Sequence, residues 1–378
     1  MTKLFTPLPV GRMQLTNRLA MPPMTRLRAD DTHTPLPIMK DYYAQRASEP
    51  GTLLITEGTF IAPQAGGIPN VPGIWSSAQI AAWKEITDAV HAQGSYIYLQ
   101  LWALGRAANS DVLKAENSQF EVVSASATKL SAESSPAHAL SESEIREYIE
   151  LYAQAARNAV AAGFDGVEIH GANGYLIDQF SQDMTNTRTD NWGGSIENRS
   201  RFAIEVTRAV SDAIGADRTA IRFSPWSTFQ GMRMAEPEGQ FSYLAQKMAE
   251  LKLAFVHLVE PRICGNTEVE GTAETQKESL DFFLRAYAGA SPVVIAGGYQ
   301  SDSAREAVDI KYKDYDVLIG IGRPWIANPD LPFRVKHGVP LVPYQREFFY
   351  IPKDPKGYVD YEFSKEFEAA RAATAAAA

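Results

Sequence analysis

Asp165-Gly166-Val167-Glu168-Ile169-His170-Gly171-Ala172-Asn173-Gly174-Tyr175 is the stretch on which the fold of this chain turns. Its first half is a short apolar run between Gly163 and Gly171 and reads as a β-strand. Its second half places His, Asn and Tyr just past that strand's carboxyl end, where ligands and chemistry collect in parallel α/β proteins. His170 and Asn173 both carry hydrogen-bond donors and together can grip one oxygen, and Tyr175 can give up a proton. The segment predicts a site that polarises a carbonyl or binds a phenol.

The same rhythm extends both ways along the chain. Strands are predicted at residues 19–23, 53–57, 95–101, 165–169, 219–223, 255–259, 293–296 and 315–319. Helical spacing falls between them, at residues 80–93, 196–214, 240–251, 275–288 and 301–308 and from about Asn328. Ser141-Glu142-Ser143-Glu144 reads as a capping box opening a further helix that runs to Ala162. The link after the first strand is the least clear. Eight strands, each with a helix-like crossover, predict a single (β/α)8 TIM barrel rather than an open doubly wound sheet. No Gly-x-Gly-x-x-Gly follows an early strand, which weighs further against a Rossmann fold. The barrel is assigned to residues 1–368. Residues 369–378, nearly all alanine, read as a frayed, disordered tail. Residues 103–140, polar and rich in Ser and Ala, read as a long excursion after strand three, either a functional lid or disordered.

Bulk properties agree with such an enzyme. A chain of 378 residues with 45% hydrophobic content can bury a large core. The net charge of −9 argues against nucleic acid and anionic membrane surfaces as partners. Cys264 is the only cysteine, which excludes a disulfide framework, a Cys-rich zinc site and a cysteine-held iron–sulfur cluster; no metal is expected. The first residues lack the apolar core of a signal peptide, and no stretch approaches the roughly 20 apolar residues that span a bilayer. The chain reads as cytoplasmic and reduced, a monomer or homodimer.

Polar groups recur at the other strand ends. Thr25 and Arg26 follow the first strand, Gly58 the second, Gln100 and Trp102 close the third, and Arg222 ends the fifth. Ala296-Gly297-Gly298 ends the seventh and Gly320-Ile321-Gly322-Arg323 the eighth. Glycines after strands seven and eight of such a barrel are a usual phosphate cradle, since bare backbone lets N–H groups reach the anion. Arg323 adds a charge-assisted contact. Thr25, Gln100 and Arg222 supply donors and acceptors for a planar polar ring across the mouth. The combination suggests flavin mononucleotide, FMN. Taken singly, each signal has a plain structural reading: a tight turn for the glycines, a barrel ion pair for Arg222, packing for Trp102 and Tyr175. His257, with no polar companion nearby in sequence, reads as a core histidine, His91 as a favourable charge at a helix end, and Cys264 as an inert thiol. Concurrence carries the functional reading, because six strand ends bear flavin-compatible groups at once.

Several long segments then point the same way. They are Asn17-Arg18-Leu19-Ala20-Met21-Pro22-Pro23-Met24-Thr25-Arg26, the run from Glu57 to Gly67, Gln100-Leu101-Trp102, His170 to Tyr175, Asn186 to Asp190 continuing to Gly193 through Arg199, Glu260-Pro261-Arg262, and Gly320 to Pro324. On these the chain resembles the Old Yellow Enzyme family of FMN-dependent ene-reductases along nearly its whole length. The resemblance implies that Pro23, Met24 and Thr25 lie against the flavin, with Thr25 tuning its potential. Gly58 and Gln100 would contact the ring edge, Arg222 would stabilise its reduced form, and Gly297, Gly298, Gly322 and Arg323 would hold the phosphate. His170 and Asn173 would bind the substrate oxygen and Tyr175 would protonate the substrate. Trp102, Phe349 and Tyr350 would shape the substrate pocket. The implied reaction takes hydride from NADPH onto FMN and passes it to the C=C bond of an α,β-unsaturated carbonyl or similar activated alkene.

The chain also departs from the family pattern. Trp192 stands where a Tyr is usual, Gly298 replaces an Asn of the yeast members, and no pocket aromatic is found around Cys264-Gly265-Asn266-Thr267. Two other readings stay open: a non-catalytic flavin- or phenol-binding barrel, and a non-redox barrel enzyme that cradles a phosphorylated substrate. A reductase of the dienoyl-CoA type is excluded by the single cysteine.

Overall fold

Eight short runs of Val, Ile and Leu, buried on both faces, can pair in parallel only if helices cover them outside. The computed structural model, which describes residues 2–134, 136–264, 267–268 and 278–377, has that arrangement. β1 (Leu19–Met21), β2 (Leu53–Phe60), β3 (Tyr96–Trp102), β4 (Gly166–His170), β5 (Thr219–Phe223), β6 (Phe255–Val259), β7 (Val293–Ala296) and β8 (Val317–Gly320) close a parallel barrel in chain order. Each predicted strand is present. β2 runs three residues past its predicted end, because after an irregularity at Ile55/Gly58 its pairing with β3 resumes as Gly58 with Gln100 and Phe60 with Trp102. That extension sets two predicted flavin contacts side by side.

The crossovers are α1 (Pro37–Arg46), α2 (Ser77–His91), α3 (Glu142–Ala161), α4 (Ile196–Ile214), α5 (Pro237–Leu251), α6 (Asp281–Tyr287), α7 (Ser301–Glu306) and α8 (Leu331–His337). α1 supplies the unclear link after β1. Its buried residues, Met39, Tyr42, Tyr43 and Arg46, do follow helical spacing, but two tyrosines and an arginine hide the stripe from an apolar pattern search. Arg46 is stable inside because its guanidinium lies 3.7 Å over the Tyr42 ring and donates to the carbonyls of Tyr42 and Tyr358, each at 3.1 Å. α3 opens on the predicted Ser141/Glu144 capping box. Its Ala155, Ala156 and Ala159 are buried, small enough for α4 to approach with Phe202, Ala203, Val206 and Val210. α7 stops short of its predicted end, and Ala307–Lys311 widen into a π-turn. The predicted start of α6, at residue 275, lies outside the described residues.

One end of the barrel is plugged. A hairpin of Leu8–Val10 and Met13–Leu15 buries Leu8, Val10, Met13 and Leu15 against Leu53, Ile55, Tyr98, Phe255 and Leu318. Each such side chain contributes about 1.5–3 kcal/mol of burial. Only the carboxyl ends of the strands are left open as a mouth.

The 103–140 excursion is built structure through its described residues. It holds a helix, Ser110–Glu116, and a short ladder of Val123–Ser124 with His138–Ala139. Arg106 ties the excursion together by donating to Lys129 O at 2.8 Å and fastens it to the loop after β5 by donating to Gln230 O at 2.7 Å. At the C-terminus, α9 (Lys365–Ala377) buries Phe367 against Phe333 and then runs, exposed, through the predicted 368/369 boundary. Alanine has the highest helix propensity, so the helix continues without anything to pack on. Trp192 is buried, with Arg146 5.1 Å and Arg201 6.0 Å from its ring centre, a structural placement. His91 Nε2–H donates to the Asp165 carboxylate (2.9 Å), which raises the proton affinity of the ring at the end of α2. Among the described residues no helix is long and apolar enough to cross a membrane.

Candidate active site

The barrel mouth holds a cavity of about 340 Å³, and beside it one of about 150 Å³; Pro23, Met24, Arg222 and Arg323 line both.

Beyond β4 the chain turns sharply, with Asn173 (φ 57°) and Gly174 (φ 76°) both left-handed. Such a conformation persists where neighbours fix it. Here Asn173 N–H donates to Ser224 Oγ (2.8 Å) and Gly174 N–H to Asp178 Oδ2 (2.8 Å), while Gly174 O accepts from Gln179 Nε2 (2.7 Å). Burial raises the Asp178 carboxyl to about 6. Sequence reading missed these supports. Their one visible signal was an Asp-Gln pair inside an otherwise apolar helical turn, Leu176–Ser181.

The turn delivers His170, Asn173 and Tyr175 to the larger cavity. Burial, then the charge of Arg222, pushes the His170 pKa well below the usual imidazole value, so the ring is neutral. Ala172 N–H donates to its Nδ1 (3.3 Å), which leaves the ring proton on Nε2 as a donor. Burial lifts the Tyr175 hydroxyl to about 12, partly offset by Gln230 and Arg222, so it keeps its proton at neutral pH. Tyr175 stands edge-on to His170 (4.9 Å) and to Trp102 (4.8 Å), fixing its ring between them.

Thr25, Gly58, Gln100 and Trp102 line the same cavity. A Cβ on Gly58 would fall 2.5 Å from Trp102 Cε3, so the indole position demands glycine there. Below, Gln100 Nε2 donates to Glu168 Oε1 (2.8 Å), and His257 Nδ1 lies 2.7 Å from Glu168 Oε2. This corrects one expectation: His257 is fully buried, as a core histidine should be, yet it has a polar companion. The curvature of the barrel, which brings β4 and β6 together across its interior, hides that companion from sequence, because Glu168 and His257 are 89 positions apart. The Arg222 guanidinium lies at the same level, its Nε buried without a hydrogen-bond partner among the described residues.

Gly297, Gly298 and Gly322 fall in the smaller cavity with Arg323. Gly298 is left-handed (φ 66°), a conformation that suits glycine. The predicted residues thus occupy two joined chambers, the His-Asn-Tyr corner in one and the glycines in the other.

Comparison with known proteins agrees with this geometry. Residues 3–342 match the NADH:flavin oxidoreductase / NADH oxidase family. The chain belongs to that family. It is 67% identical to chanoclavine-I aldehyde reductase fgaOx3 of Penicillium roqueforti, covering 99% of this chain and 100% of the relative. It is 54% identical to the NADP-dependent oxidoreductase lnbE of Aspergillus flavus, covering 97% of each. Among solved structures, Old Yellow Enzyme from a Pichia species superposes with a TM-score of 0.88 at 39% identity, covering 96% of this chain and 94% of that one. The protein is an Old Yellow Enzyme-like flavin oxidoreductase.

For a flavin oxidoreductase of this family the implied cofactor is FMN, and the chambers fit it. The glycine-lined chamber beside Arg323 suits a phosphate. The larger chamber offers a flat ring the Gln100 carboxamide and the unpaired Arg222 Nε–H. Its outer wall comes from the C-terminal segment. Arg26 Nε (3.2 Å) and Arg28 Nη1 (2.9 Å) both donate to Phe349 O, and that clamp carries Phe349 and Tyr350 to the cavity's edge. Leu27, Ile68, Phe229, Ile326 and Arg346 also line the cavity and were not foreseen, since their loops meet only in the fold. The missing pocket aromatic was sought around Cys264-Gly265-Asn266-Thr267, where Gly265 and Asn266 and the side chains of Cys264 and Thr267 lie outside the described residues.

Proposed function

We propose that this protein binds FMN, takes hydride from NADPH and reduces the C=C bond of α,β-unsaturated aldehydes or ketones. The observation that carries the reading is the meeting of a neutral His170, Asn173 and a protonated Tyr175 in one cavity with Gln100 and Arg222.

Bound FMN would supply hydride transfer, accepting it from the nicotinamide and giving it to the alkene's β-carbon. The chain's own residues do the rest. Pro23, Met24, Thr25 and Gly58 would flank the ring, Gln100 and Arg222 would bond its polar edge, and Gly297, Gly298, Gly322 and Arg323 would hold the phosphate. His170 Nε2–H and the Asn173 side chain bond the carbonyl oxygen of the substrate. Those bonds strengthen as negative charge builds there, which lowers the barrier rather than merely tightening binding. Tyr175 hands its hydroxyl proton to the α-carbon. Trp102, Phe349 and Tyr350 wall the pocket and exclude water. As the 67% identical relative is named for chanoclavine-I aldehyde, that aldehyde is the first substrate to try.

The test is to purify the protein, release its chromophore and follow NADPH oxidation with an enal. The expected result is a yellow protein that frees FMN on denaturation and yields a saturated aldehyde two mass units heavier than the substrate. An allylic alcohol as product would place the hydride on the carbonyl and overturn the assignment. A colourless protein that ignores added FMN would overturn the whole reading.

A further inference from the structure

We infer that Glu168, held by His257, is a positioning residue that orients Gln100 toward the flavin and sets the charge against which the reduced flavin is stabilised. The inference rests on the FMN reading above.

Glu168 lies at the centre of β4 with no exposure, and its two oxygens are shared between two strands. Oε1 accepts from Gln100 Nε2 on β3 (2.8 Å), and Oε2 faces His257 Nδ1 on β6 (2.7 Å). A carboxylate only accepts hydrogen bonds, and this decides both neighbours. The Gln100 amide must turn its NH2 inward, so its Oε1 and remaining N–H are what it can offer elsewhere. Gln100 lines the cavity, and that pair of groups matches a ring edge bearing one N–H and one carbonyl. Desolvation keeps His257 neutral, so its single proton sits on Nδ1, and the fully buried Nε2 has no partner among the described residues.

Scaffolding alone does not account for an acid here. A buried charge costs several kcal/mol to desolvate, and well-packed apolar residues commonly serve stability as well or better. What the carboxylate does have is a charged neighbour. Arg222 pairs in register with His257 across β5–β6 and with His170 across β4–β5, and the Glu168 charge opposes the burial that depresses its guanidinium. Arg222 lines the cavity, and the buried Glu168 carboxylate acts on it electrostatically from beneath. Reduction of the flavin adds negative charge above it. Glu168 resists that charge and Arg222 favours it, so the two together set how readily the flavin is reduced.

Glu168→Gln isolates the charge. A neutral His257 can switch tautomer, so Nδ1 accepts from the new amide while its oxygen still accepts from Gln100, and both hydrogen bonds survive. Glu168→Asp keeps the charge but shortens the reach to Gln100. FMN affinity, the visible spectrum of the bound flavin and its midpoint potential are measured for each variant and for the wild type. Glu168→Gln should bind FMN yet favour the reduced form about tenfold more, a rise of about 30 mV for a two-electron couple. Glu168→Asp should hold the wild-type potential while binding FMN about tenfold more weakly, with an altered band shape. Wild-type potential and spectrum in both variants would reduce Glu168 to scaffolding and overturn the inference. Should the wild type itself fail to bind FMN, the function proposed above falls, and this inference with it.

Discussion

Gln230 donates its Nε2–H to the carbonyl of Asn173 at 3.1 Å, joining the loop after β5 to the turn that carries His170, Asn173 and Tyr175. The same side chain lies close enough to Tyr175 to lower its hydroxyl's proton affinity against the rise imposed by burial. Gln230 is itself left-handed (φ 60°), a strained conformation held from both sides by the bond to Asn173 and by Arg106 on its carbonyl. One residue thus ties the proposed substrate grip to the proposed proton donor.

Replacing Gln230 with Leu should loosen both together. Reoxidation of the reduced flavin by an enal is expected to slow about three- to tenfold, the kinetic equivalent of a hydrogen bond of about 1 kcal/mol. Reduction of the flavin by NADPH should be nearly unchanged. Stopped-flow measurement of the two half-reactions checks this, and equal slowing of both would point to general damage.

Tyr175→Phe removes the acidic hydroxyl and keeps the ring between His170 and Trp102. NADPH should still reduce the flavin at nearly the wild-type rate, whereas enal reduction should slow by about 10²–10⁴-fold, the usual worth of a positioned acid. Quinones, which need no proton on carbon, should be spared. If all three rates stayed at wild-type values, Tyr175 would be only a packing residue.

Phenols probe the oxygen site without turnover. Two donors favour phenolate, so para-substituted phenols should bind over oxidised flavin with a long-wavelength charge-transfer band. His170→Ala and Asn173→Ala should each weaken binding by about 1.5–3 kcal/mol, the cost of a lost hydrogen bond to a charged group. Because burial and Arg222 keep His170 neutral, affinity should show no inflection near the usual imidazole pKa and should follow only the phenol's own ionisation. A titration of binding against pH settles the point.

Glu57 gives a pH dependence of stability. Its Oε2 accepts the N–H groups of Arg26 (3.0 Å) and Leu27 (3.3 Å), while burial raises its pKa from 4.5 to about 7 despite the nearby Arg26 and Arg28. A carboxyl whose folded pKa is raised binds more protons in the native state. Its stabilisation is therefore complete below the unfolded value and is lost as pH rises from about 4.5 to 7. The displacement corresponds to about 3 kcal/mol. Glu57→Gln mimics the protonated form and should flatten this slope, leaving the variant as stable at pH 7.5 as at pH 5 as far as this group is concerned. Urea unfolding across that range would show it, and an unchanged slope would move the titration elsewhere.

Sequence by itself determined the barrel and the parts of its mouth. Period and composition mark a strand wherever neighbours are a few positions apart, so all eight strands and most crossovers were legible; helix α1 was not, because tyrosines and an arginine form its buried stripe. Most site residues could be named because they stand at or just past the carboxyl ends of their strands, and the barrel collects those ends on one side. Their partners could not. Glu168 meets His257 across 89 positions, Gln230 meets Asn173 across 57, and Arg28 meets Phe349 across 321, each in a loop contact or one across the barrel interior that no local pattern encodes. Closure of the sheet makes those contacts. Only the tertiary structure therefore decided which ring nitrogen of His170 carries the proton, which way Gln100 faces, and what holds Tyr175 in place.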